Sequence, residues 1–279
     1  MEFRTEDGRR RYDELLHVAG DLVVGLDFDG TLSPIVEDPQ TAVIHPDAPD
    51  ALRDLSGHVR GVAVVTGRPA RQVVELGHLE RLADDLPEGA RLMVLGQYGH
   101  ERWDAATREF TSPEPPAALQ EFRDELPDIL DSVAAGDALV EEKGLAVAVH
   151  TRRMADPQGA FARLQEALGA AAEQHGLLLE PGRMVLEVRS PGMHKGLAVR
   201  AAVEELEGRA VLFVGDDLGD IEAFDAVRSM RDEDGMPALL VCSSSDEQEA
   251  LAEQADLVVP GPDGVARLLH ELASAVPLR

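Results

Sequence analysis

The chain has 279 residues, 44% of them hydrophobic, which is enough for one domain with a sizeable insertion or for two domains. A formal net charge of −27 repels nucleic acid and anionic lipid, so we expect neither a nucleic acid nor a membrane as a partner. No apolar stretch is long enough to span a bilayer and the N-terminus has no apolar signal core, which predicts a cytoplasmic protein.

The first part of the chain alternates apolar strands with helices. Strands that are apolar on both faces are typical of a parallel sheet that helices cover on both sides. We expect, in chain order, a helix over residues 9–19, a strand over 22–27, a helix over 47–56, a strand over 61–66, a helix over 69–78 and a strand over 91–95.

The middle of the chain has a different pattern. The segment 111–116 contains three prolines and predicts a linker. After it the order is α-β-β-α-β-β, which indicates an antiparallel sheet with two helices, inserted as a small α+β module. The expected elements are helices over 117–134 and 157–175 and strands over 138–142, 145–151, 177–180 and 184–189.

The strand–helix alternation returns after the segment 190–192. The elements expected there are helices over 195–207, 219–228, 246–254 and 263–275 and strands over 210–214, 238–242 and 256–259. The predicted fold class is therefore α/β, a doubly wound parallel sheet with an inserted α+β module. We expect residues 1–111 and 191–279 to form the α/β core and residues 112–190 to form the insertion.

The first strand ends in Asp27-Phe28-Asp29-Gly30-Thr31. Because side chains alternate along a strand, Asp27 and Asp29 leave it on the same side. Two adjacent carboxylates are costly unless a cation lies between them, and carboxylates together with water suit Mg²⁺. One of the two can then act as a nucleophile on phosphorus. A solvated turn after a strand is the alternative interpretation of this motif alone.

Three later segments add groups at strand ends and helix starts, where open α/β sheets bind ligands. Thr66-Gly67-Arg68 offers a hydroxyl and backbone N–H groups to phosphate oxygens. Lys195 is one of only two lysines among 26 basic residues, the other being Lys143, which favours sites that need a compact ammonium group. Asp216, after the strand 210–214, supplies a further carboxylate for a metal ion.

These segments, in this order, resemble the four motifs of the haloacid dehalogenase-like phosphatases. The matching residues are Asp27 to Thr31, Thr66, Lys195 and Gly215 to Asp217. The position and the α-β-β-α-β-β order of the insertion match one type of mobile cap in that superfamily. The resemblance covers nearly the whole chain and implies that the core is catalytic and that the insertion sets substrate specificity.

The cap resembles that of the trehalose-phosphatase family. Glu141 and Lys143, two residues apart, are followed by His150 and Arg152, as in the cap signature of that family. Glu187 stands where the family uses an acid to bind sugar hydroxyls. Charged donors and acceptors suit a disaccharide, which is a rigid array of hydroxyl groups.

The segment 96–101 resembles the glycine-rich segment that follows the third strand in the same family, and it adds Gly99 and Glu101 to the candidate site. The chain also departs from the family pattern: Tyr98 replaces a histidine, Thr151 an aromatic residue, and Gly219 and Ile221 a threonine and a glutamate. These departures bear on metal geometry and on sugar contacts and leave the four motifs intact.

The resemblance implies Mg²⁺-dependent hydrolysis of trehalose 6-phosphate through an aspartyl-phosphate. Asp27 would attack phosphorus, and Asp29 would protonate the leaving sugar oxygen and then activate water. Thr66 and Lys195 would stabilise charge on the phosphate. The implied metal ligands are Asp27, Asp29 through its carbonyl and Asp216, with Asp217 and Asp220 behind them; the implied substrate contacts are Gly30, Gly67, Arg68, Gly99, Glu101, Glu141, Lys143, His150, Arg152 and Glu187.

Other functions stay open on this scaffold, because a fold alone does not choose among them. A phosphatase of glucosyl- or mannosyl-phosphoglycerate or of sucrose phosphate would share the core chemistry. A sugar phosphomutase would isomerise its substrate and release no phosphate. A non-catalytic sugar-phosphate sensor has no need for the full set of acids and lysine. We expect a monomer whose partner is a small sugar phosphate.

Overall fold

The computed structural model of the protein describes residues 1–36, 38–244 and 249–276. The described strands are β1 (Glu2–Phe3), β2 (Leu22–Leu26), β3 (Gly61–Val65), β4 (Leu92–Gly96), β5 (Glu101–Asp104), β6 (Phe110–Thr111), β7 (Leu139–Glu142), β8 (Ala146–His150), β9 (Leu178–Gly182), β10 (Val185–Arg189), β11 (Ala210–Gly215), β12 (Ala238–Ser244) and β13 (Leu257–Pro260). The described α-helices are α1 (Glu6–His17), α2 (Ala48–Ser56), α3 (Ala70–Leu76), α4 (Leu79–Asp84), α5 (Ala117–Ser132), α6 (Pro157–Gln174), α7 (Lys195–Glu205), α8 (Ile221–Asp232), α9 (Glu249–Ala252) and α10 (Gly261–Ala275).

The core is built on one sheet, whose described strands follow the order β1-β13-β12-β11-β2-β3-β4-β5-β6. The six strands from β13 to β4 pair in parallel, and β1, β5 and β6 add antiparallel edges. The chain order reverses around β2, since β3 lies on one side of it and β11 on the other. Such a switch point opens a crevice at the carboxyl end of the strands. The predicted α/β fold with a doubly wound parallel sheet is confirmed.

Alternate residues of each central strand face opposite layers of helices. Leu22, Val24 and Leu26 of β2 belong to a hydrophobic cluster that includes residues of α2, α3 and α10. Val23, between them, belongs to a second cluster with residues of α7 and α8. Because both faces are covered, β2 is apolar at every position and polar side chains begin only where the strand ends.

Residues 113–193 form a second compact unit, whereas residues 1–112 and 194–279 belong to the first. The strands of the second unit form an antiparallel sheet in the order β7-β8-β10-β9. Its core joins Val147 and Leu186 of the sheet to Phe122 of α5 and Leu164 of α6. The opposite face of this sheet carries charged side chains, because side chains alternate along each strand.

Several elements were not anticipated from the sequence pattern, namely β1, β5, β6 and α4. β5 has only Trp103 fully buried between charged neighbours, so it lacks the continuous apolar run of a central strand. The residues before α8 form a 3₁₀ turn at Leu218–Asp220, so the helix begins at Ile221 instead of residue 219. The first residues of the helix predicted over 246–254 lie outside the described residues. Among the described helices, none has an apolar stretch that could cross a membrane.

Candidate active site

Asp27 follows β2 at the switch point of the sheet and is 4% exposed. Its backbone N–H donates to the carbonyl of Val214 in β11 at 2.9 Å, which extends the strand pairing to this residue and fixes its position. Lys195, the first residue of α7, places Nζ 2.7 Å from Asp27 Oδ1 and 2.7 Å from Asp220 Oδ1. One ammonium group therefore bridges two buried carboxylates that come from different segments.

The turn after Asp27 is organised by Gly30. Gly30 has a φ of +71°, and a Cβ at this position would collide with the carboxylate of Asp216, so conformation and space both require glycine. Its N–H donates to the carbonyl of Ser33 at 2.7 Å, and its carbonyl accepts from the hydroxyl of Ser243 at 2.7 Å. The backbone of this predicted substrate contact is thereby held against Asp216.

The loop after β11 is organised by Asp220, whose side chain is fully buried. Its Oδ2 accepts from the N–H groups of Asp216 at 2.9 Å and Asp217 at 3.4 Å, while Oδ1 faces Lys195. The N–H of Gly219 donates to Asp217 Oδ1 at 2.8 Å. Any residue except proline can supply that N–H, so the departure from the family pattern at position 219 leaves the hydrogen bonding of this loop intact.

The carboxylates of Asp27, Asp216 and Asp220 each place an oxygen within 4.8 Å of the others. Burial raises the pKa of Asp27 well above its ordinary value, and the neighbouring carboxylates raise it further. Burial, followed by the charges of Asp217 and Asp220, raises the pKa of Asp216 to about 8. For Lys195, burial by itself lowers the pKa, but the carboxylates of Asp220 and Asp27 outweigh it and the pKa of the ammonium is raised.

This donor set fits a divalent cation such as Mg²⁺. Mg²⁺ prefers carboxylate oxygens and keeps several waters, and the cluster offers buried carboxylates whose raised pKa values reflect burial and unbalanced negative charge. Among the described residues, Lys195 is the cation within ion-pair distance of Asp27 and Asp220. A cation between Asp27 and Asp216 would lower the pKa of both carboxyl groups and relieve their repulsion.

The side chain of Asp29 lies outside this cluster, because Arg68 holds it. Arg68 Nε donates to Asp29 Oδ2 at 2.6 Å and Arg68 Nη2 donates to Asp29 Oδ1 at 2.7 Å. The remaining terminal nitrogen, Nη1, donates to the carbonyl of Pro39 at 2.8 Å. Arg68 is predicted from the sequence to contact the substrate; in the structure its guanidinium is engaged by Asp29 and Pro39.

Thr66 follows the last residue of β3 and has a buried hydroxyl that accepts from the N–H of Arg68 at 3.1 Å. The next segment of the sheet edge supports this turn: the Nε2 group of Gln97, after β4, donates to the carbonyl of Gly67 at 2.9 Å. Gln97 has a φ of +47° and Tyr98 one of +58°, a left-handed pair that is uncommon outside glycine. The left-handed turn after β4 therefore fixes the backbone beside Thr66.

Gly99 and Glu101, two predicted substrate contacts, have clear structural roles. Gly99 has a φ of +95°, and a Cβ there would lie 2.8 Å from the Cβ of Ala198 in α7. Glu101 Oε2 accepts from the N–H of Ala70 at 2.8 Å, which satisfies a free donor at the start of α3. Both residues join neighbouring segments of the core, and a role in sugar binding stays a prediction.

In the inserted unit, four predicted sugar-binding residues share the charged face of the sheet. Lys143 Nζ donates to Glu187 Oε2 at 2.7 Å, and His150 Nε2 lies 2.8 Å from Glu141 Oε2. Arg152 lies in the turn after β8 and is exposed. The strand register therefore brings four of the five cap residues into two close side-chain contacts, the Lys143–Glu187 ion pair and the His150–Glu141 contact. The fifth, Arg152, lies beyond the end of β8.

Two residues at these sites were not predicted from the sequence. Arg189 is 5% exposed on the charged face, with Nη2 3.0 Å from Glu180 Oε2 and Nε 3.9 Å from Glu187 Oε1. Its position could have been predicted from the sequence, because Arg189 is two residues from Glu187 and residues two apart share a face of a strand. Ser243 gave no comparable signal, since its hydroxyl reaches Gly30 across 213 residues of sequence.

Comparison with known proteins identifies the family. The trehalose-phosphatase family matches residues 25–260. The trehalose-phosphate phosphatase of Mycobacterium leprae is 31% identical over 293 residues, covering 98% of this chain and 65% of that protein. A probable trehalose-phosphate phosphatase of Sinorhizobium fredii is 32% identical over 209 residues, covering 74% of this chain and 73% of that protein. An uncharacterised glycosyl hydrolase of Mycobacterium tuberculosis is 36% identical over 213 residues, which are 74% of this chain but only 15% of that protein.

The chain thus spans less than two thirds of two of these relatives. Among solved structures, the C-terminal domain of Candida albicans trehalose-6-phosphate phosphatase has a TM-score of 0.73 at 18% identity, covering 98% of both chains. A haloacid dehalogenase-like hydrolase from Bacteroides thetaiotaomicron has a TM-score of 0.65 at 15% identity, covering 90% of this chain and 98% of that one. The chain therefore belongs to the trehalose-phosphatase family and has the fold of the haloacid dehalogenase-like hydrolases.

Proposed function

We propose that the protein is a Mg²⁺-dependent phosphatase that hydrolyses trehalose 6-phosphate to trehalose and phosphate, the last step of trehalose biosynthesis. The observation that carries this proposal is the buried group of Asp27, Lys195, Asp216 and Asp220 at the switch point of the sheet. The family match supports the choice of a phosphatase reaction, and the names of the relatives support the choice of sugar.

In the first step, Asp27 attacks phosphorus. Lys195 holds Oδ1 of this carboxylate, which leaves Oδ2 as the attacking atom. The new bond joins Asp27 Oδ2 to phosphorus, the bond from phosphorus to the sugar oxygen breaks, and that oxygen takes its electron pair and a proton from Asp29. Thr66 and Lys195 offer donors to the phosphoryl oxygens as charge develops on them.

In the second step, Asp29 accepts a proton from water as the water attacks phosphorus, and the bond to Asp27 breaks to return the carboxylate. The residues that would hold the metal ion are Asp27, the carbonyl of Asp29 and Asp216, with Asp217 and Asp220 supporting them. When bound, Mg²⁺ would neutralise phosphate charge that the net charge of −27 otherwise repels.

For the sugar, we propose that Glu141, Lys143, His150 and Glu187 bind hydroxyl groups. Each already has a hydrogen-bonding partner on the same sheet face, at 2.7 Å for Lys143 with Glu187 and 2.8 Å for His150 with Glu141. A sugar hydroxyl can donate to one member of such a pair and accept from the other, so hydroxyls can replace these contacts without leaving a charge unpaired.

The test is phosphate release with Mg²⁺ from trehalose 6-phosphate, beside glucose 6-phosphate, sucrose 6-phosphate and glucosyl-3-phosphoglycerate. We expect a strong preference for trehalose 6-phosphate that a chelator abolishes. Activity on another ester alone would keep the core chemistry and reassign the sugar. Isomerised product without free phosphate would indicate a phosphomutase, and no turnover of any ester would overturn the assignment of an enzyme.

A further inference from the structure

The contact between Arg68 and Asp29 is a bidentate ion pair. Two guanidinium nitrogens face the two carboxylate oxygens at 2.6 and 2.7 Å. The arginine side chain is 12% exposed and the aspartate side chain 39%. Parallel hydrogen bonds of this kind fix the plane of a carboxylate as well as its position, which a single ammonium contact does not.

The guanidinium is itself held from several directions. The backbone N–H of Arg68 donates to Thr66 Oγ1 at 3.1 Å, and its carbonyl accepts from the N–H of Gln97 at 2.9 Å. At the far end of the side chain, Nη1 donates to the carbonyl of Pro39 at 2.8 Å. The guanidinium group of Arg68 is therefore positioned independently of Asp29, by the segments that follow β3 and β4 and by the segment around Pro39.

We propose that Arg68 is a positioning residue for proton transfer, which acts by orienting the carboxyl group of Asp29 and not by binding the substrate. The proposal rests on the proposed function, in which Asp29 exchanges protons with the leaving sugar oxygen and with water. Each carboxylate oxygen has two lone pairs, and the fork uses one on each. The second lone pair on each oxygen remains available for proton transfer, and the guanidinium of Arg68 determines the direction in which it points.

The geometry favours this role over a phosphate contact. Three of the five N–H groups that a guanidinium carries are engaged, by both oxygens of Asp29 and by Pro39. Turning the guanidinium toward a phosphate would break contacts at both ends and release the carboxylate of Asp29 from its fixed orientation. An arginine that bound phosphate directly would lower KM, whereas one that orients Asp29 acts on kcat.

The experiment is a double-mutant cycle with Arg68→Met, Asp29→Asn and both changes together. Arg68→Met is expected to lower kcat for trehalose 6-phosphate about 10²-fold, the typical cost of misplacing a catalytic group, with KM changed less than about twofold. Arg68→Lys should be nearly as slow, because an ammonium keeps the charge and loses the fork. In the Asp29→Asn background, Arg68→Met should cause no further loss of kcat.

All four proteins of the cycle are measured with p-nitrophenyl phosphate as well as with trehalose 6-phosphate. The leaving group of p-nitrophenyl phosphate needs no protonation, so the residual turnover of the Asp29→Asn variants stays measurable on a substrate common to the whole cycle. Arg108→Met is the matched control, because Arg108 also joins an aspartate, Asp84, and a backbone carbonyl, that of Glu80, away from the site. Thermal unfolding of each variant shows whether the fold is kept.

Losses that multiply in the double variant, or a raised KM in both backgrounds, would overturn the positioning role and assign Arg68 to the phosphate. Such a result leaves the proposed function standing, because the wild-type chain is then still active. A wild-type chain that releases phosphate from no ester instead overturns the proposed function, and the role of Asp29 with it.

Discussion

The acidic cluster of the core and the charged face of the cap sheet hold their charges in opposite ways. In the cluster, Asp27, Asp216 and Asp220 gather around the single ammonium of Lys195. On the cap face three acids each lie beside a basic side chain: Glu187 beside Lys143, Glu141 beside His150 and Glu180 beside Arg189. The first region carries excess negative charge, and the second is close to balance.

We expect this difference to separate the proposed reaction from its selectivity for the sugar. Buried carboxylates in excess repel one another, and a divalent cation between them relieves this repulsion. The cluster is therefore suited to bind a metal ion and then a phosphate. Balanced pairs on an antiparallel sheet are stable by themselves and exchange contacts with hydroxyl groups at low cost. We therefore expect substitutions in the cluster to change whether turnover occurs, and substitutions on the cap face to change which sugar is accepted.

The largest effect is expected for Asp27→Asn, which removes the proposed nucleophile but keeps the size of the side chain. Turnover of every ester should fall by roughly 10⁴-fold or more, as it does when the nucleophile of a covalent enzyme is removed. Asp85→Asn, at an exposed aspartate, is the control and should keep wild-type kcat. Substantial metal-dependent activity in the Asp27 variant would contradict the assignment of Asp27 as the nucleophile.

A pH dependence of stability tests the excess charge directly. The pKa of Asp216 is about 8 in the folded protein against an ordinary value of 3.8, so the metal-free folded state binds more protons than the unfolded chain between these values. Stability is then greatest below pH 4 for this group and is lost as the pH rises toward 8. From pH 5 to pH 8 we expect a loss of roughly 2–4 kcal/mol in urea unfolding with chelator present.

Two controls separate this effect from general repulsion. Asp216→Asn should reduce the pH dependence, whereas the net charge of the chain stays strongly negative. Mg²⁺ should do the same for the wild-type protein, because it stabilises the ionised cluster. If the Asp216 variant loses stability with pH as steeply as the wild type, the cluster is not the source.

The sequence was sufficient for the parts of both regions that depend on strand position. Asp27, Thr66 and Asp216 each follow the last residue of a parallel strand, and apolar runs mark where those strands end. The period of two along a strand likewise predicts that Glu141 and Lys143 share a face. Strand topology converts these sequence positions into neighbours in space, so the acidic cluster and the cap face could both be anticipated.

The contacts made by loops and side chains could not be anticipated in the same way. Arg68 pairs with Asp29 and with the carbonyl of Pro39, a contact that depends on the path of the segment around Pro39. Glu101 caps α3 because β5 adds an edge that the pattern missed. Such contacts depend on the paths of turns and on side-chain rotamers, for which the sequence has no periodic signal.

On the cap face, Lys143→Met tests whether the balanced pairs serve the sugar. The change removes one partner of Glu187 and one hydrogen-bond donor to a sugar hydroxyl. KM for trehalose 6-phosphate should therefore rise about 10-fold or more, which corresponds to the loss of one hydrogen bond to a charged group. Turnover of p-nitrophenyl phosphate, which carries no sugar, should stay the same. Glu142→Gln, at the neighbouring residue on the opposite face, is the matched control and should leave both substrates unaffected.

The smallest effect concerns how firmly the core cluster is held in place. Ser243 donates to the carbonyl of Gly30 from a fully buried position, and that glycine lies against the carboxylate of Asp216. Ser243→Ala leaves the carbonyl without this donor and should lower the free energy of unfolding by about 1–2 kcal/mol. Ser244→Ala, whose hydroxyl donates to Val259 from a partly buried site, should cost less. If the hydrogen bond also positions the acidic cluster, Ser243→Ala should bind Mg²⁺ more weakly than the wild type in calorimetry, and Ser243→Thr, which keeps the hydroxyl, should bind it as the wild type does. Equal Mg²⁺ affinity in all these proteins would limit Ser243 to a role in stability.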